Sequence, residues 1–169
     1  MPHLPGPVVQ LRVTADGRPT GAAATARFEH PPAHVWAVVS DIERYARYLP
    51  MVDRARRTGD RVAFDLKFRV GFFSAGFQFT ADATYEPEKW LELRWVSGEP
   101  KNIRLRFELS PLDDGRATQV VGDGEFDLMS LGWLVKYFLK HHPEIGHGVF
   151  PGVALVLLDA LRRAAEAPP

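Results

Sequence analysis

The sequence predicts an α+β protein. We expect a curved antiparallel sheet of about seven strands wrapped around a long C-terminal helix, with two short helices after the first strand. Residues 62–128 alternate apolar and polar side chains, which is typical of strands with one buried face. Residues 30–50 and 153–164 instead repeat apolar side chains at helical spacing. The turns between the alternating runs are too short for crossover helices, so neighbouring strands should be antiparallel.

The composition is that of an ordinary globular domain. The chain has 169 residues, 46% of them apolar and 25% charged, which suits one hydrophobic core and is short for two. We therefore expect a single domain over residues 1–169. Residues 1–21 should form an N-terminal extension or hairpin, and residues 130–149 an inserted helix and loop before the final helix. Lys+Arg and Asp+Glu both total 21, and this balance argues against nucleic-acid binding.

Several absences narrow the class of protein further. The sequence has no cysteine, which excludes disulfides, thiolate nucleophiles and cysteine-ligated zinc. The start, MPHLPGPVVQ, has neither the basic nor the apolar region of a signal peptide. No uninterrupted apolar run approaches the roughly 20 residues that span a bilayer, so we expect a soluble cytoplasmic protein. A solvated edge strand should hold the one basic cluster, Arg54, Arg56, Arg57 and Arg61.

The N-terminal elements are predicted as a hairpin followed by two short helices. Residues 9–13 and 22–28 alternate apolar and polar positions on either side of an Asp-Gly turn. Residues 31–42 begin with two prolines, which suit a first helical turn, and continue with apolar residues at helical spacing. Asp41 is placed to cap a second short helix, which Pro50 ends.

The strands follow, and the last of them has an unusual buried face. The alternating runs begin near Val62, Phe77, Leu91 and Ile103. The final strand, at about residues 116–128, places Gly122 and Gly124 on the side that should be buried. Glycines there favour a bend or bulge that lets a long strand curl. They also make space for a ligand, and the two interpretations are compatible.

The C-terminal helix presents one apolar stripe between Val153 and Ala164, with charged residues around it. One helix cannot fill a wide curved sheet by itself, so a space should remain between them. The sequence therefore predicts an internal apolar cavity.

The segment from His30 to Pro50 resembles the opening of the helix-grip proteins, the START-like, Bet v 1-like superfamily that includes polyketide cyclases/dehydrases and coenzyme-Q-binding proteins. The resemblance implies this fold over roughly residues 22–166, and a cavity for sterols, lipids, quinones, plant hormones or aromatic polyketides. It implies catalysis in a minority of members only. The N-terminal hairpin and the inserted stretch depart from the family pattern. The resemblance rests on Pro31, Trp36, Val39, Asp41, Tyr45, Tyr48 and Pro50.

The inward strand positions carry apolar side chains and glycine, with Thr118 and Tyr85 as the polar exceptions. Tyr45 and Tyr48 add hydroxyls that could meet a ligand head group, whereas the carboxylates of residues 123–127 should be solvated on the opposite face. This pattern favours binding over acid–base catalysis and calls for no cofactor. We expect the ligand cavity to be lined by Trp36, Tyr45, Phe64, Phe68, Phe77, Phe79, Trp95, Phe107, Thr118, Gly122, Gly124, Phe126, Val153 and Leu157.

Residues 141–148, HHPEIGHG, contain three histidines and a glutamate. Pro143 and Gly146 should prevent a continuous helix, so these side chains would not converge on a metal ion, and we expect no metal site. The stretch is interpreted as a hinged joint before a final helix that begins near Phe150. This joint would place His142, His147 and Phe150 at the mouth of the cavity.

Residues 131–139, LGWLVKYFL, are rich in large apolar side chains. We expect an extra helix that packs over the cavity or against a second subunit. The alternative is an interfacial segment that contacts a membrane transiently during lipid exchange.

Three functions are compatible with these patterns. The leading hypothesis is a carrier or sensor of a small hydrophobic ligand, such as a lipid, an isoprenoid quinone or a polyketide-like molecule. The first alternative is a polyketide aromatase/cyclase or dehydratase in which polar groups such as Tyr45 or His147 shuttle protons. The second alternative is a non-enzymatic interaction module for a large partner.

Overall fold

The computed structural model describes residues 6–70 and 73–168. Four helices are present in this part of the chain: α1 Pro32–Val39, α2 Tyr45–Tyr48, α3 Trp133–His141 and α4 Glu144–Glu166. Short 3-10 turns occupy Ile42–Arg44, Asp113–Gly115 and Leu128–Leu131. The strands are β1 Val8–Val13, β2 Pro19–Phe28, β3 Val52–Thr58, β4 Arg61–Val70, β5 Phe73–Glu86, β6 Trp90–Gly98, β7 Lys101–Leu112 and β8 Ala117–Asp127.

The strands form one antiparallel sheet in the order β1-β2-β8-β7-β6-β5-β4-β3. This sheet and the long C-terminal helix confirm the predicted α+β class and its helix-grip arrangement. The sheet has eight strands rather than about seven, because residues 52–58 pair with β4 as a strand of their own. That strand is an edge, as predicted for Arg54, Arg56 and Arg57, and charged side chains on an edge discourage pairing with other chains. The prediction is wrong for Arg61, which lies in the inner strand β4 and pairs with Asp82 at 2.8 Å.

The first strand pair is a hairpin in which Val8 lies opposite Thr25 and Leu11 opposite Ala22. Residues 1–5 of the predicted N-terminal extension lie outside the described residues. The side chain of Arg12 in β1 crosses over β2 at Gly21 and reaches β8, where its Nη1 lies 2.6 Å from Asp123 Oδ1. A guanidinium can pass over β2 there because glycine has no side chain.

The outer face of the sheet is therefore paired rather than simply solvated. Arg104 Nε lies 3.1 Å from Glu125 Oε1, and its Nη2 lies 3.4 Å from Asp123 Oδ2. Asp127 accepts a hydrogen bond from the backbone N–H of Met129 at 3.0 Å, which caps the following 3-10 turn. The expectation that these carboxylates are only solvated is wrong, because arginines on neighbouring strands lie opposite them.

The two short helices begin as the sequence predicts. Pro31 stands at the N-cap of α1 and Pro32 is its first residue, where a missing N–H costs nothing. Asp41 precedes the 3-10 turn, but its side chain caps nothing; its Oδ2 lies 3.2 Å from Arg44 Nε instead. The predicted capping role of Asp41 is therefore wrong, because the arginine three residues later takes its carboxylate.

Helix α4 packs closely against the sheet in its C-terminal half. Leu158, Leu161 and Ala165 are buried there. A Cβ added to Gly122 would lie 3.2 Å from Leu158 Cδ2 and 3.3 Å from Phe107 Cε1. This glycine therefore removes the side chain that would hold the helix away from β8.

The register of β8 is continuous with both β2 and β7 through Gly122 and Gly124. The predicted bulge at these glycines is therefore wrong, whereas a bend of the strand without a bulge is compatible with this register. Gly122 also admits the helix. Helix α4 packs over β1, β2 and β8, at one side of the sheet. A cavity remains between the helix and the concave faces of β4 to β8.

The C-terminal end of α4 is held by α1 and β8. His34 Nε2 lies 2.8 Å from the carbonyl oxygen of Ala165, and the ring of His30 stacks on that of His34 at 4.4 Å. Thr118 Oγ1 in turn donates to the carbonyl of His30 at 2.8 Å. These contacts position one end of the helix.

Among the described residues, α4 is the one helix long and apolar enough to cross a membrane by length and composition. A core helix passes the same test, and here the apolar side of α4 faces the sheet and the space beside it. Its composition alone is weak evidence for a membrane span.

Gly21→Ala should destabilise the fold, because the new Cβ would lie 2.5 Å from the carbonyl oxygen of Gly124 and 2.7 Å from Arg12 Nη2. We expect a loss of about 1–3 kcal/mol in the free energy of unfolding. Thermal unfolding followed by circular dichroism should show a melting temperature lower by roughly 2–10 °C.

The matched control is Gly148→Ala, the same change at an exposed position of α4 with no atom within 4 Å of the added Cβ. It should raise stability by about 0.5–1 kcal/mol, because alanine is the better helix former. A Gly21→Ala protein that melts with or above the wild type would contradict the packing of Arg12 over β2.

Candidate functional site

A cavity of about 690 Å³ lies between the sheet and helix α4. Its floor is the concave face of β4 to β8, and its roof is the N-terminal two thirds of α4. One end is closed by Tyr45 of α2 and by Leu49, which directly follows that helix. The other end is closed by Leu131, Val135 and Leu139. The cavity is the space that α4 leaves when it packs over one side of the sheet.

Aromatic side chains shape the cavity wall. Phe64 and Phe79 stack with ring centroids 4.8 Å apart, because β4 and β5 place them directly opposite each other. Phe68 and Phe77 meet edge to face at 5.9 Å nearer the end of the same strand pair. Such aromatic pairs hold a wall rigid while presenting apolar surface to whatever lies beside them.

The structure brings most of the residues predicted for the ligand cavity to this wall. The alternation of each strand places every second side chain on the concave face, which is why the phenylalanines meet there. The predicted residues that lie on the wall are Tyr45, Phe64, Phe68, Phe77, Phe79, Phe107, Gly122, Gly124, Phe126, Val153 and Leu157.

Three predicted residues do not line the wall. Trp36 packs against the hydrophobic core instead, with its ring centre 6.0 Å from that of Tyr85. Trp95 lies near the shift of register between β5 and β6, and its indole N–H donates to the carbonyl of Gly98 at 3.1 Å. Thr118 is fully buried, and its hydroxyl donates a hydrogen bond to the backbone carbonyl of His30. The strand pattern identifies the inward face but does not tell how far along each strand the cavity extends.

The predicted hydrogen-bonding tyrosines are also placed elsewhere or already bonded. Tyr85 is exposed, and the guanidinium carbon of Arg57 lies 5.4 Å from its ring centre. Tyr48 is half-buried and packs against the core rather than the cavity. Tyr45 does line the wall, but its hydroxyl donates to the carbonyl oxygen of Val39 at 2.5 Å. That hydroxyl is therefore not free for a ligand.

The joint between the last two helices is much shorter than predicted. Helix α4 begins at Glu144 rather than near Phe150, so the last five of the eight residues in HHPEIGHG belong to its first turns. Pro143 stands at the N-cap, where proline is tolerated, and Gly146 packs within the helix against the preceding segment. The prediction that Pro143 and Gly146 prevent a helix is wrong for this reason.

The residues assigned to the cavity mouth separate in the structure. His142 and His147 are exposed and do not line the wall. His142 Nδ1 lies 3.1 Å from Glu144 Oε1, and His147 Nδ1 lies 3.2 Å from the carbonyl of Pro143. Phe150 is buried in the wall and packs on Phe126 at 4.8 Å, so it lies inside the cavity rather than at its mouth.

Sequence reasoning missed the first turns of α4 because it placed the start of the helix too late. Ile145, Val149 and Ala154 line the cavity from those turns and the one that follows. Phe138 of α3 and Ile145 of α4 both line the cavity and are exposed to solvent. These two side chains therefore mark an opening beside the joint of the two helices.

The wall offers little acid–base chemistry. Burial raises the pKa of Tyr45, and Asp41 raises it further, so its hydroxyl stays protonated. Arg104 and Glu125 border the cavity, but their side chains pair with each other on the outer face of the sheet. Across residues 6–70 and 73–168, no three histidine, aspartate or glutamate side chains are close enough to hold a metal ion.

A curved sheet gripping one long helix around an apolar cavity defines the START-like, helix-grip class of protein. The family described as polyketide cyclase / dehydrase and lipid transport matches residues 28–144, more than half of the chain. The chain belongs to this family. No curated protein matches the sequence significantly.

Solved structures show the same fold at low sequence identity. A STAR-related lipid transfer protein from Xanthomonas axonopodis is 12% identical, with a TM-score of 0.63 over 96% of this chain and 94% of its own. A START superfamily protein from Mycobacterium smegmatis is 21% identical, with a TM-score of 0.57 over 85% and 95%. The Zhui aromatase/cyclase from a Streptomyces species is 18% identical, with a TM-score of 0.54 over 84% and 93%.

Tyr45→Phe should lower the free energy of unfolding at neutral pH. It should also make that free energy fall less steeply than in the wild type as the pH rises above about 10. The change removes the donor to Val39, which we expect to cost about 1–3 kcal/mol. Because burial raises the pKa of Tyr45, its stabilising effect is complete below about pH 10 and is lost as the pH rises above that value. Urea unfolding between about pH 8 and pH 11 measures both effects.

Tyr48→Phe is the control at about pH 8, because it makes the same change at a half-buried tyrosine of the same helix. We expect it to cost less stability than Tyr45→Phe. Two results together would contradict a buried, hydrogen-bonded Tyr45 hydroxyl. The two variants would lose equal stability, and the stability of Tyr45→Phe would fall with rising pH as steeply as that of the wild type.

Proposed function

We propose that the protein binds and carries one small hydrophobic ligand, such as a lipid, an isoprenoid quinone or a polyketide-like molecule, inside the cavity. The observation that carries this proposal is the wall itself. It surrounds about 690 Å³ mainly with apolar side chains, and its one tyrosine hydroxyl already donates to the carbonyl of Val39. The family description, which includes lipid transport, agrees with this proposal.

The size of the cavity suits a single drug-sized or lipid-sized molecule, since ligand sites commonly enclose about 300–1,000 Å³. A ligand that buries about 400 Å² of apolar surface gains roughly 10 kcal/mol at ~25 cal/mol per Å². Part of that gain is lost to the entropy of association. The remainder is compatible with micromolar affinity, without any charged contact.

The wall would select ligands by shape and apolarity. A polar solute that enters it leaves its hydrogen bonds with water unreplaced, at a cost of several kcal/mol for each polar group. The stacked Phe64–Phe79 pair and the Phe126–Phe150 pair set the width available to a ring or a chain. We therefore expect flat or flexible apolar molecules to bind best.

The same geometry favours a carrier over a cyclase or dehydratase. Acid–base catalysis needs a titratable group within hydrogen-bond reach of the ligand. Tyr45 donates to Val39, and His147 is exposed and lies off the wall. The two residues suggested as proton shuttles are therefore unsuited to that role. Nothing among the described residues points to a large partner in preference to a small ligand.

Exchange of the ligand is part of the proposal. The opening beside Phe138 and Ile145 is one route into the cavity among the described residues. Residues 131–139 lie at this opening, so transient contact with a membrane through this segment would let a hydrophobic ligand avoid water.

Val153→Phe tests the cavity directly, because Val153 lines the wall and a larger side chain would occupy part of the ligand volume. We expect the affinity for a neutral dye that fluoresces in apolar surroundings to fall at least about tenfold, equivalent to ~1.4 kcal/mol. Fluorescence titration of the purified variant against the wild type measures this change.

Val156→Phe is the matched control, since it makes the same substitution three residues later at an exposed position of the same helix. It should leave the dye affinity unchanged, and thermal unfolding should show that both variants fold. Equal affinities for Val153→Phe and Val156→Phe, or no dye binding by the wild type, would argue against the cavity as the binding site.

A further inference from the structure

We propose that helix α3 is a docking element for an anionic membrane surface, and that it places the cavity opening against the bilayer. This inference rests on the proposed function, because it names the partner with which the carried ligand is exchanged. Four features of α3 and its neighbours support it: exposed aromatic side chains, continuity with the cavity wall, one sign of charge, and a small area.

The outer face of α3 exposes large aromatic side chains. Trp133 is 77% exposed and Tyr137 56% exposed. They are four residues apart in the helix, so they lie on one face, and the ring of Tyr137 continues this face to His141 at 4.5 Å. Tryptophan and tyrosine are the side chains that favour the boundary between lipid head groups and acyl chains.

The exposed patch is continuous with the cavity. The opposite face of α3 places Val135 and Leu139 in the wall. Between the two faces, Phe138 lines the cavity and is 47% exposed, and Ile145 at the start of α4 does the same at 47%. A ligand that leaves the cavity between these side chains therefore meets apolar surface on both sides.

The charges of helix α3 itself are of one sign. Helix α3 contains Lys136 and Lys140, both exposed, and no acidic residue. The nearest carboxylate in sequence after the helix, that of Glu144, stays ionised, because hydrogen bonds from its own backbone N–H and from His142, 3.1 Å away, lower its pKa. The positive charge therefore belongs to α3 and ends at the joint with α4. Exposed lysines beside interfacial aromatics suit anionic head groups. Each lysine near such a surface should raise the partition coefficient onto the membrane about fivefold.

The area of the patch favours a bilayer over a second copy of the chain. A helix of nine residues is only about 14 Å long. Its outer face therefore offers on the order of a few hundred Å², whereas a stable dimer commonly buries about 800 Å² on each partner. In a symmetric dimer, Lys136 and Lys140 would also face like charges. A membrane requires neither a large area nor an acidic counterpart on another protein.

Vesicle co-sedimentation tests the proposal. The full chain is mixed with vesicles of zwitterionic phosphatidylcholine, or with vesicles in which about a third of the lipid is phosphatidylserine. We expect binding to the second kind only, and weaker binding as salt is raised from about 0.1 M to about 1 M. Lys136→Gln with Lys140→Gln should lower the partition roughly 25-fold, and Trp133→Ala roughly tenfold.

Matched controls separate this surface from general effects. Arg54→Gln with Arg56→Gln removes two exposed cations from the β3 edge, and Val8→Ala trims an exposed apolar side chain of β1. Both should bind vesicles as the wild type does. The dye titration in solution, run on every variant, reports the cavity independently of the membrane.

The outcomes distinguish the docking surface from the ligand cavity. Dye binding without vesicle binding overturns the membrane proposal and leaves the proposed function standing, whereas loss of both overturns the function itself. Equal binding to the two kinds of vesicle, or wild-type partition by the α3 variants, also overturns the proposal. So does a dimer, seen by analytical ultracentrifugation, that Trp133→Ala converts to a monomer.

Discussion

The structure depends on where one helix can approach the sheet. Helix α4 comes close to β8 because Gly122 has no side chain to oppose Leu158. Its far end is fixed by the contact of His34 with the carbonyl of Ala165. Because both contacts hold α4 over one side of a wide, curved sheet, a space remains between the helix and the concave faces of the other strands. The cavity follows from this geometry, and α2 and α3 close its ends.

The polar groups of the molecule are placed so that this cavity stays apolar. The hydroxyls of Tyr45 and Thr118 are bonded to backbone carbonyls, which satisfies them without a ligand. The charged residues of the central strands form ion pairs across the outer face, where Arg104 meets Asp123 and Glu125. A buried charge beside the cavity would cost several kcal/mol unless it were paired. The ion pairs can therefore stabilise the sheet from its outer face while the inner face remains apolar.

Much of the fold was predictable because a period of two identifies strands and their inner faces. The wall phenylalanines, such as Phe64 and Phe79, follow from that period alone. Trp95 and Thr118 share the inward pattern but lie off the wall, since alternation carries no information about where along a strand a helix covers it. The start of α4 was misjudged because Pro143 and Gly146 resemble helix breakers. A proline at an N-cap and a glycine packed against Leu139 are compatible with a helix, and only the tertiary contacts reveal this.

Native mass spectrometry of the purified chain shows whether the cavity holds a ligand, and organic extraction releases and identifies any bound molecule. We expect a complex with a single small hydrophobic molecule, either retained from the host cell or formed after incubation with a lipid or quinone mixture, and lost on denaturation. A chain that keeps only its own mass of about 18.9 kDa after such incubation, and that leaves a neutral hydrophobic dye dark, would contradict it.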